Sequence, residues 1–223
     1  MTPNKEDYLK TIYEDGGSDS FVSNKRLCEK LGLSGASVSQ MLGKLEKQGL
    51  IEYRAYHGAR LTQEGLSACV ELVRSHELWE VFLMRHLGYS WREAHEDAHL
   101  LEHSASERLL RRLDAFLGFP ATCPHGSVIP RNDDALRGGE GLKRLSELAR
   151  GESALVRRVE EDGKLLDYLE NCGLQIGEKL TVTFVEDFEG AVCCRQENGE
   201  LRISRKAAEQ VYVEIIGEAG GNE

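Results

Sequence analysis

The chain has 223 residues, of which 40% are hydrophobic and 30% are charged. This composition is typical of a globular protein with one large domain or two to three small ones, and no apolar run approaches the length of a membrane span. The N-terminus lacks the basic and then apolar layout of a signal peptide, so we expect a cytoplasmic protein. The six cysteines show no C-x-x-C spacing and are expected to be reduced.

The formal net charge of −10 is unevenly distributed along the chain. Residues 1–75 carry 10 basic and 10 acidic side chains, whereas the remaining 148 residues carry 18 basic and 28 acidic ones. The first third is therefore neutral, and a DNA-binding role for it is compatible with the acidic total.

Three short helices and a β-hairpin are predicted at the start of the chain. Residues 3–14 have apolar side chains at helical spacing, and Ser23 and Ser34 are expected to cap the next two helices. The short turn between those two helices is typical of a helix-turn-helix. A hairpin with Gly58 in its turn follows, which makes the module a winged helix.

Polar side chains on the third helix and on the wing are candidates for DNA contacts. Serine and glutamine can hydrogen-bond base edges, while lysine and arginine can bind phosphates. Any amphipathic helix exposes polar residues, so the helix positions alone are a weak signal. The candidate DNA-binding residues are Ser37, Gln40, Lys44 and Lys47 on the helix and Arg54, His57 and Arg60 on the wing.

A long helix from Thr62 to about His86 is predicted next, with His76 and Glu80 as an i, i+4 pair of potential metal ligands. It is followed by a second helix that begins with a capping box at Ser90 and Glu93.

The helix that begins at Ser90 has a stripe of potential metal ligands along one face. Imidazole nitrogen and carboxylate oxygen together suit first-row divalent metals, and sulfur is absent from the stripe. A solvated polar face is the alternative, but four candidate ligands within nine residues favour a metal site. The stripe consists of His95, His99, Glu102 and His103, at positions i, i+4, i+7 and i+8.

A third amphipathic helix is predicted over residues 104–117, with Leu109, Leu110, Leu113 and Phe116 facing inward. Successive helices with apolar faces and no covering sheet are consistent with a dimer interface or with an intramolecular bundle, and the pattern alone leaves both open.

The last third contains an extended Cys123-Pro-His125 segment and then a small β module. Four or five short strands around one helix predict an SH3-like barrel. The expected fold is therefore mainly α with a small β part: a winged helix-turn-helix at 1–72, metal-binding and candidate dimerisation helices at 73–140, a linker at 141–150 and an SH3-like domain at 151–217.

With these residues in view, the chain resembles the diphtheria toxin repressor family of metal-dependent transcriptional regulators, which includes manganese-responsive members. The resemblance covers essentially the whole length. It is carried by Glu-Asp-Tyr-Leu-Lys-Thr-Ile-Tyr-Glu at 6–14, Val-Ser-Gln at 38–40, His-Glu-Leu-Trp-Glu at 76–80, the ligand stripe and Cys-Pro-His-Gly at 123–126.

The resemblance implies two metal sites. The primary site consists of Asp7, His99, Glu102 and His103, and the ancillary site consists of His76, Glu80, His95, Cys123, His125 and Glu160. Two positions depart from the family pattern. His99 stands where Cys or a carboxylate is usual, and Lys10 stands where some manganese regulators carry a further Glu ligand, which argues against their paired-manganese arrangement.

The same resemblance implies a homodimer that binds a palindromic operator in double-stranded DNA and represses metal-uptake genes. Because Asp7 belongs to the first helix and the other primary ligands follow the long helix, one ion would tie the DNA-binding and dimerisation domains together. Mn²⁺ or Fe²⁺ is the expected activator, although Zn²⁺, Co²⁺ and Ni²⁺ suit the same ligands.

Two other functions are compatible with parts of the sequence. Residues 95–99 match H-E-x-x-H, the zinc-peptidase motif in which Glu96 would be the general base. The preceding winged helix and the lack of a further histidine six residues after His99 disfavour a peptidase. A winged-helix regulator without metal would explain residues 1–75 equally well, but it would leave the ligand stripe without a role.

Overall fold

The structure is a computed structural model that describes residues 3–131, 141–188, 190–197 and 199–216. Eight α-helices and eight β-strands lie in these ranges. The helices are α1 (Pro3–Glu14), α2 (Asn24–Leu31), α3 (Gly35–Lys47), α4 (Gln63–Leu87), α5 (Trp91–Leu101), α6 (Glu107–Phe116), α7 (Gly163–Asn171) and α8 (Arg205–Ala208). The strands are β1 (Ile51–Arg54), β2 (Gly58–Leu61), β3 (Lys143–Arg144), β4 (Ser153–Val159), β5 (Lys179–Val185), β6 (Val192–Gln196), β7 (Gly199–Ile203) and β8 (Val211–Ile216).

The winged helix forms as the sequence predicts. The Ser23 side chain accepts a hydrogen bond from the Arg26 backbone N–H, and the Ser34 side chain caps α3 in the same way. β1 and β2 pair antiparallel to form the wing. Gly58 packs so tightly that an added Cβ would lie 1.9 Å from the Val22 carbonyl oxygen, and only glycine allows that approach.

Helix α4 connects the winged helix to the metal-binding region without a break. It begins after the N-cap Thr62 and ends at Gly88, which adopts a left-handed conformation. Its 25 residues span about 38 Å. The boundary that we expected between residues 72 and 73 therefore lies inside a continuous helix, and α4 contributes to two domains.

Helices α5 and α6 are shorter than predicted. The capping box at Ser90 is present, but α5 ends at Leu101, and α6 is capped by Ser106. Leu110 and Leu113 are buried as expected. The inward prediction was wrong for two apolar residues of this helix, because Leu109 is 44% and Phe116 is 64% exposed.

The C-terminal module is a six-stranded antiparallel sheet in the order β3-β8-β4-β5-β6-β7, with α7 and α8 packed against it. The expected linker at 141–150 is part of this module, because β3 pairs with β8 and Leu145 and Leu148 are buried in its core. The sheet has an irregularity in β4 between Val156 and Arg158, where the register with β8 shifts.

The C-terminal module is firmly attached to the metal-binding helices. Trp91 of α5 is buried in the core of the module, and the Val159 N–H donates a hydrogen bond to the His125 carbonyl at 3.0 Å. The segment around His125 is a turn closed by the Gly126 N–H on the Cys123 carbonyl at 3.1 Å, not the extended segment that we predicted. Among the described helices none is long and apolar enough to cross a membrane.

Candidate metal centre

The first cluster joins α1 to the C-terminal end of α5. Asp7, His99, Glu102 and His103 each place one potential ligand atom within 4.8 Å of the others. His103 Nε2 lies 3.1 Å from Asp7 Oδ1, and His99 Nδ1 lies 3.0 Å from Glu102 Oε1. Because α5 ends at Leu101, the last two ligands project from a turn. The structure thus brings together the four residues of the expected primary site.

The polar atoms of the first cluster suit a cation. Asp7 Oδ1 is buried and accepts no hydrogen bond from the described residues, and burial raises the pKa of this carboxyl group. The Glu102 side chain is completely buried. Burial opposes its ionisation, but hydrogen bonds from His76 and His99 hold the pKa of Glu102 well below its usual range. A divalent cation would satisfy both carboxylates.

Two residues of α1 beside this cluster were not among the expected ligands. Lys10 is 8% exposed, and its Nζ lies 2.7 Å from Glu102 Oε2. Glu6 Oε2 lies 2.6 Å from His103 Nδ1. Lys10 lies three residues after Asp7 and so shares its helix face, which was the available signal, whereas Glu6 is the immediate neighbour of Asp7 and helical spacing gave no signal for it.

The second cluster lies between α4, α5, the turn after Cys123 and the end of β4. It contains two overlapping groups of ligands, each with its ligand atoms within 4.8 Å of one another. One group is His76, Glu80, His95 and Glu161, and the other is Glu80, Cys123, His125 and Glu161. Five of the six expected ancillary residues therefore meet.

The sixth expected ancillary residue, Glu160, lies elsewhere. Its Oε1 accepts a hydrogen bond from the Tyr212 hydroxyl at 2.7 Å, and Arg158 is nearby at 3.6 Å. Glu161 takes its place in the cluster. Strand alternation could not predict this exchange, because the irregularity in β4 changes which side chains share a face and both residues lie beyond the strand.

The surroundings of the second cluster favour the protonated forms of two of its ligands. Burial and the Lys10 ammonium oppose protonation of His76, yet the adjacent Glu80 and Glu102 carboxylates raise its pKa to about 10. Burial, together with Glu77 and Glu80, raises the pKa of the Cys123 thiol. His125 Nδ1 lies 3.0 Å from Glu80 Oε2, and its Nε2 is buried without a hydrogen-bond partner among the described residues.

The H-E-x-x-H motif does not form a peptidase site. His95 faces Glu80 at 3.1 Å in the second cluster, whereas His99 belongs to the first. Glu96, the expected general base, is exposed and accepts a hydrogen bond from Arg92 Nε at 2.7 Å. His95, His99 and Glu96 therefore lie in three different environments.

The candidate DNA-binding side chains of α3 are exposed, as a recognition helix requires. Ser37, Gln40, Lys44 and Lys47 all face solvent.

The two wing arginines are held by a carboxylate that the sequence analysis overlooked. Glu52 accepts hydrogen bonds from Arg54 Nε and Arg60 Nε, both at 2.8 Å. The guanidinium carbons of the two arginines lie 4.7 and 5.1 Å from the centre of the Phe21 ring.

A winged helix linked by a long helix to two clusters of metal ligands defines the class of a metal-responsive DNA-binding regulator. Family comparisons divide the chain in the same way. "Iron dependent repressor, N-terminal DNA binding domain" matches residues 1–59, "Iron dependent repressor, metal binding and dimerisation domain" matches residues 62–131, and "FeoA domain" matches residues 143–215.

Curated relatives agree with this assignment. The iron-dependent repressor IdeR of Mycobacterium leprae is 32% identical over 189 residues, which cover 79% of this chain and 82% of the relative. The diphtheria toxin repressor of Corynebacterium glutamicum is 27% identical over 222 residues, which cover 95% and 96% of the two chains.

Solved structures also match over nearly the whole chain. A manganese-dependent transcriptional repressor in complex with manganese superposes with a TM-score of 0.83 at 33% identity, covering 95% of this chain and 99% of the other. ScaR with bound Zn²⁺ gives a TM-score of 0.80 at 37% identity, covering 96% and 100%. The chain belongs to the iron-dependent repressor family, whose members are metal-dependent, DNA-binding transcriptional regulators and not enzymes.

Proposed function

We propose that this protein represses transcription when Asp7, His99, Glu102 and His103 hold a divalent cation and so fix the winged helix against α5. The supporting observation is the 3.1 Å approach of Asp7 Oδ1 and His103 Nε2, because these atoms belong to different domains. The cation supplies positive charge that neutralises the clustered carboxylates. With the winged helix fixed, the α3 helices of a dimer can enter successive major grooves of a palindromic operator.

The size of the metal-dependent gain in operator affinity follows from the thermodynamic linkage between metal binding and the DNA-competent arrangement. If only the DNA-competent arrangement binds the ion, a metal concentration of 100 times the dissociation constant stabilises that arrangement by about 2.7 kcal/mol. This corresponds to about a hundredfold gain in operator affinity. Mn²⁺ and Fe²⁺ are the proposed activators, consistent with the manganese-dependent and iron-dependent relatives. Because the proposed operator is chromosomal DNA, a cytoplasmic location is part of the same proposal.

The second cluster is proposed as an additional metal centre, made by His76, Glu80, His95, Cys123, His125 and Glu161. We propose that it fixes α4, α5 and the C-terminal module relative to one another. The proposed dimer surface includes exposed Leu109 and Phe116, which lie in the region matched by the dimerisation domain.

Operator titrations with a His103→Ala variant test the first centre. An operator is selected from random DNA with the metal-loaded protein, and binding is then followed by fluorescence anisotropy at buffered free Mn²⁺. The variant should lose the metal-dependent gain, whereas Glu96→Gln, which changes an exposed carboxylate on α5, should keep it. A full metal response in His103→Ala would contradict the proposal.

A further inference from the structure

The two ligand groups of the second cluster share the carboxylates of Glu80 and Glu161. In Glu80, one carboxylate oxygen faces the first group and the other oxygen faces the second group. Glu80 Oε1 lies 2.9 Å from His76 Nε2 and 3.1 Å from His95 Nδ1. Glu80 Oε2 lies 3.0 Å from His125 Nδ1. The two oxygens of a single, completely buried carboxylate thus face different sets of nitrogen atoms.

The two carboxylate oxygens of Glu161 also face different ligand groups. Its Oε2 lies 3.9 Å from His76 Nε2 and 3.8 Å from His95 Nδ1. Its Oε1 lies 3.9 Å from Cys123 Sγ and accepts a hydrogen bond from the Ser127 hydroxyl at 2.8 Å. Both shared carboxylates therefore have one oxygen on the His76 and His95 side and the other on the Cys123 side.

We propose that the second cluster is a dinuclear metal centre, in which Glu80 and Glu161 bridge two divalent ions. His76 and His95 complete the nitrogen side, and Cys123 and His125 complete the sulfur side. This inference rests on the proposed function only in that it requires the cluster to bind metal. No residue of the first cluster is a ligand of either ion, although Glu102 Oε2 lies 2.6 Å from His76 Nδ1.

The charge of the surroundings supports two ions. Glu77 is 4% exposed, interacts with the Cys123 side chain, and has an Oε2 atom without a hydrogen-bond partner among the described residues. Burial, together with Glu161 and Glu80, raises the pKa of Glu77, and bound cations would favour its ionised form. With Cys123 as a thiolate, the carboxylates of Glu77, Glu80 and Glu161 then bring the formal negative charge to four. Two divalent ions neutralise that charge, whereas a single ion would leave a net negative charge in a buried site, which is unfavourable.

The two sides differ in ligand chemistry, which makes them distinguishable. The nitrogen side offers two imidazoles and two carboxylate oxygens, a set that suits Mn²⁺ or Fe²⁺. The sulfur side replaces one imidazole with a thiolate, which favours softer ions such as Zn²⁺ or Co²⁺. A Co²⁺ ion bound there should show a thiolate charge-transfer band, and one bound on the nitrogen side should not.

Metal stoichiometry in a His103→Ala background tests the proposal, because that substitution removes the first centre. Equilibrium dialysis against Co²⁺ should give two ions per protomer. Cys123→Ser should lose one ion together with the thiolate band, and His95→Gln should lose one ion and keep the band. With Mn²⁺, electron paramagnetic resonance should show a spin-coupled pair that Glu161→Gln abolishes and the neighbouring Glu160→Gln preserves, with thermal unfolding confirming that each variant is folded.

A single ion in this cluster, lost equally in Cys123→Ser and His95→Gln, would overturn the dinuclear inference and leave the proposed function intact. Absence of any ion from the folded background variant would contradict the dinuclear inference and the proposed second centre together. The metal-dependent operator binding of the unsubstituted protein reports on the first centre separately.

Discussion

Lys10 Nζ lies 2.7 Å from Glu102 Oε2, and this buried ion pair joins residues 92 positions apart in the sequence. The same carboxylate oxygen lies 2.6 Å from His76 Nδ1, so the second Glu102 oxygen is the one that faces His99 and His103. A permanent cation of α1 therefore holds the winged helix against α5 beside the first metal cluster.

We expect Lys10→Met to destabilise the metal-free protein by about 3 kcal/mol, because it removes one of the two cations, Lys10 and protonated His76, that compensate the buried Glu102 carboxylate. The loss should be smaller with Mn²⁺ present, because the bound ion compensates the Glu102 charge. Urea unfolding with and without metal measures both values. Lys25→Met, which removes an exposed lysine 3.9 Å from Glu29, is the control and should change little. Equal effects of the two substitutions would show that the buried pair has no special role.

Glu52 restrains the basic wing. Hydrogen bonds from Arg54 and Arg60 lower the pKa of Glu52, so the carboxylate is charged at neutral pH. In Glu52→Gln we expect tighter non-specific DNA binding and a steeper salt dependence, by about one unit of slope for each arginine released to a phosphate.

Titration of the Glu52→Gln protein against non-operator duplex at several salt concentrations measures that slope. Glu29→Gln is the matched control, since it removes one exposed negative charge from α2. If both variants gain affinity equally with an unchanged slope, then net charge and not the wing arginines explains the result.

Asp114 connects α6 to two arginines, Arg74 at 2.7 Å and Arg131 at 2.6 Å. Burial opposes its ionisation, but Arg131 and Arg74 hold the pKa of Asp114 below its ordinary value of 3.8. This lowered pKa means that the ion pairs stabilise the fold fully above about pH 4, and that their contribution is lost as the pH falls through the folded-state pKa. Asp114→Asn should cost about 3 kcal/mol at pH 7, and the difference should narrow in acid.

Urea unfolding of the Asp114→Asn protein at pH 7 and at pH 3 provides this comparison. Glu107→Gln, which breaks an exposed pair with Arg111 on the same helix, should cost less than about 1 kcal/mol at either pH. A cost for Asp114→Asn that does not change with pH would rule out the electrostatic explanation.

The apolar patch on α6 should mediate dimerisation. Phe116 is 64% exposed, and its ring centre lies 4.9 Å from that of His86. Phe116→Glu is expected to weaken the dimer strongly, because it places a charge in the centre of an apolar interface. Analytical ultracentrifugation measures the dissociation constant, with Phe188→Glu, a fully exposed residue of the C-terminal module, as the control. An unchanged constant for Phe116→Glu would place the interface elsewhere.

Metal binding to the second cluster should strengthen as the pH rises. His76 has a pKa of about 10 in the metal-free protein, so at neutral pH an incoming ion has to displace its proton. Calorimetric titration of the His103→Ala protein with Mn²⁺ in buffers of different ionisation enthalpy should reveal proton release. As a control, Glu160→Gln in the same background should release the same number of protons on Mn²⁺ binding as the His103→Ala protein. A titration without proton release would contradict the assignment of His76 as a ligand.

The sequence alone was sufficient for four helix starts and for the type of each module, but not for the length of α6 or for the turn after Cys123. Side-chain caps at Ser23, Ser34, Thr62 and Ser90 start four helices where predicted, because each cap needs only a backbone N–H two or three residues away. The winged helix and the β module follow from such local signals. The four expected primary ligands were identified through helical spacing together with family resemblance, and the structure brings them together.

Only the tertiary structure decided which polar residue meets which partner. The choice of Glu161 over Glu160 follows from a strand irregularity and from the attachment of the C-terminal module to the turn after Cys123. The pairing of Lys10 with Glu102 likewise depends on how α1 packs near α5. Spacing along one helix constrains neighbours within about two turns, whereas these contacts join segments that are distant in sequence, and burial then makes each unmatched charge costly enough to require a partner.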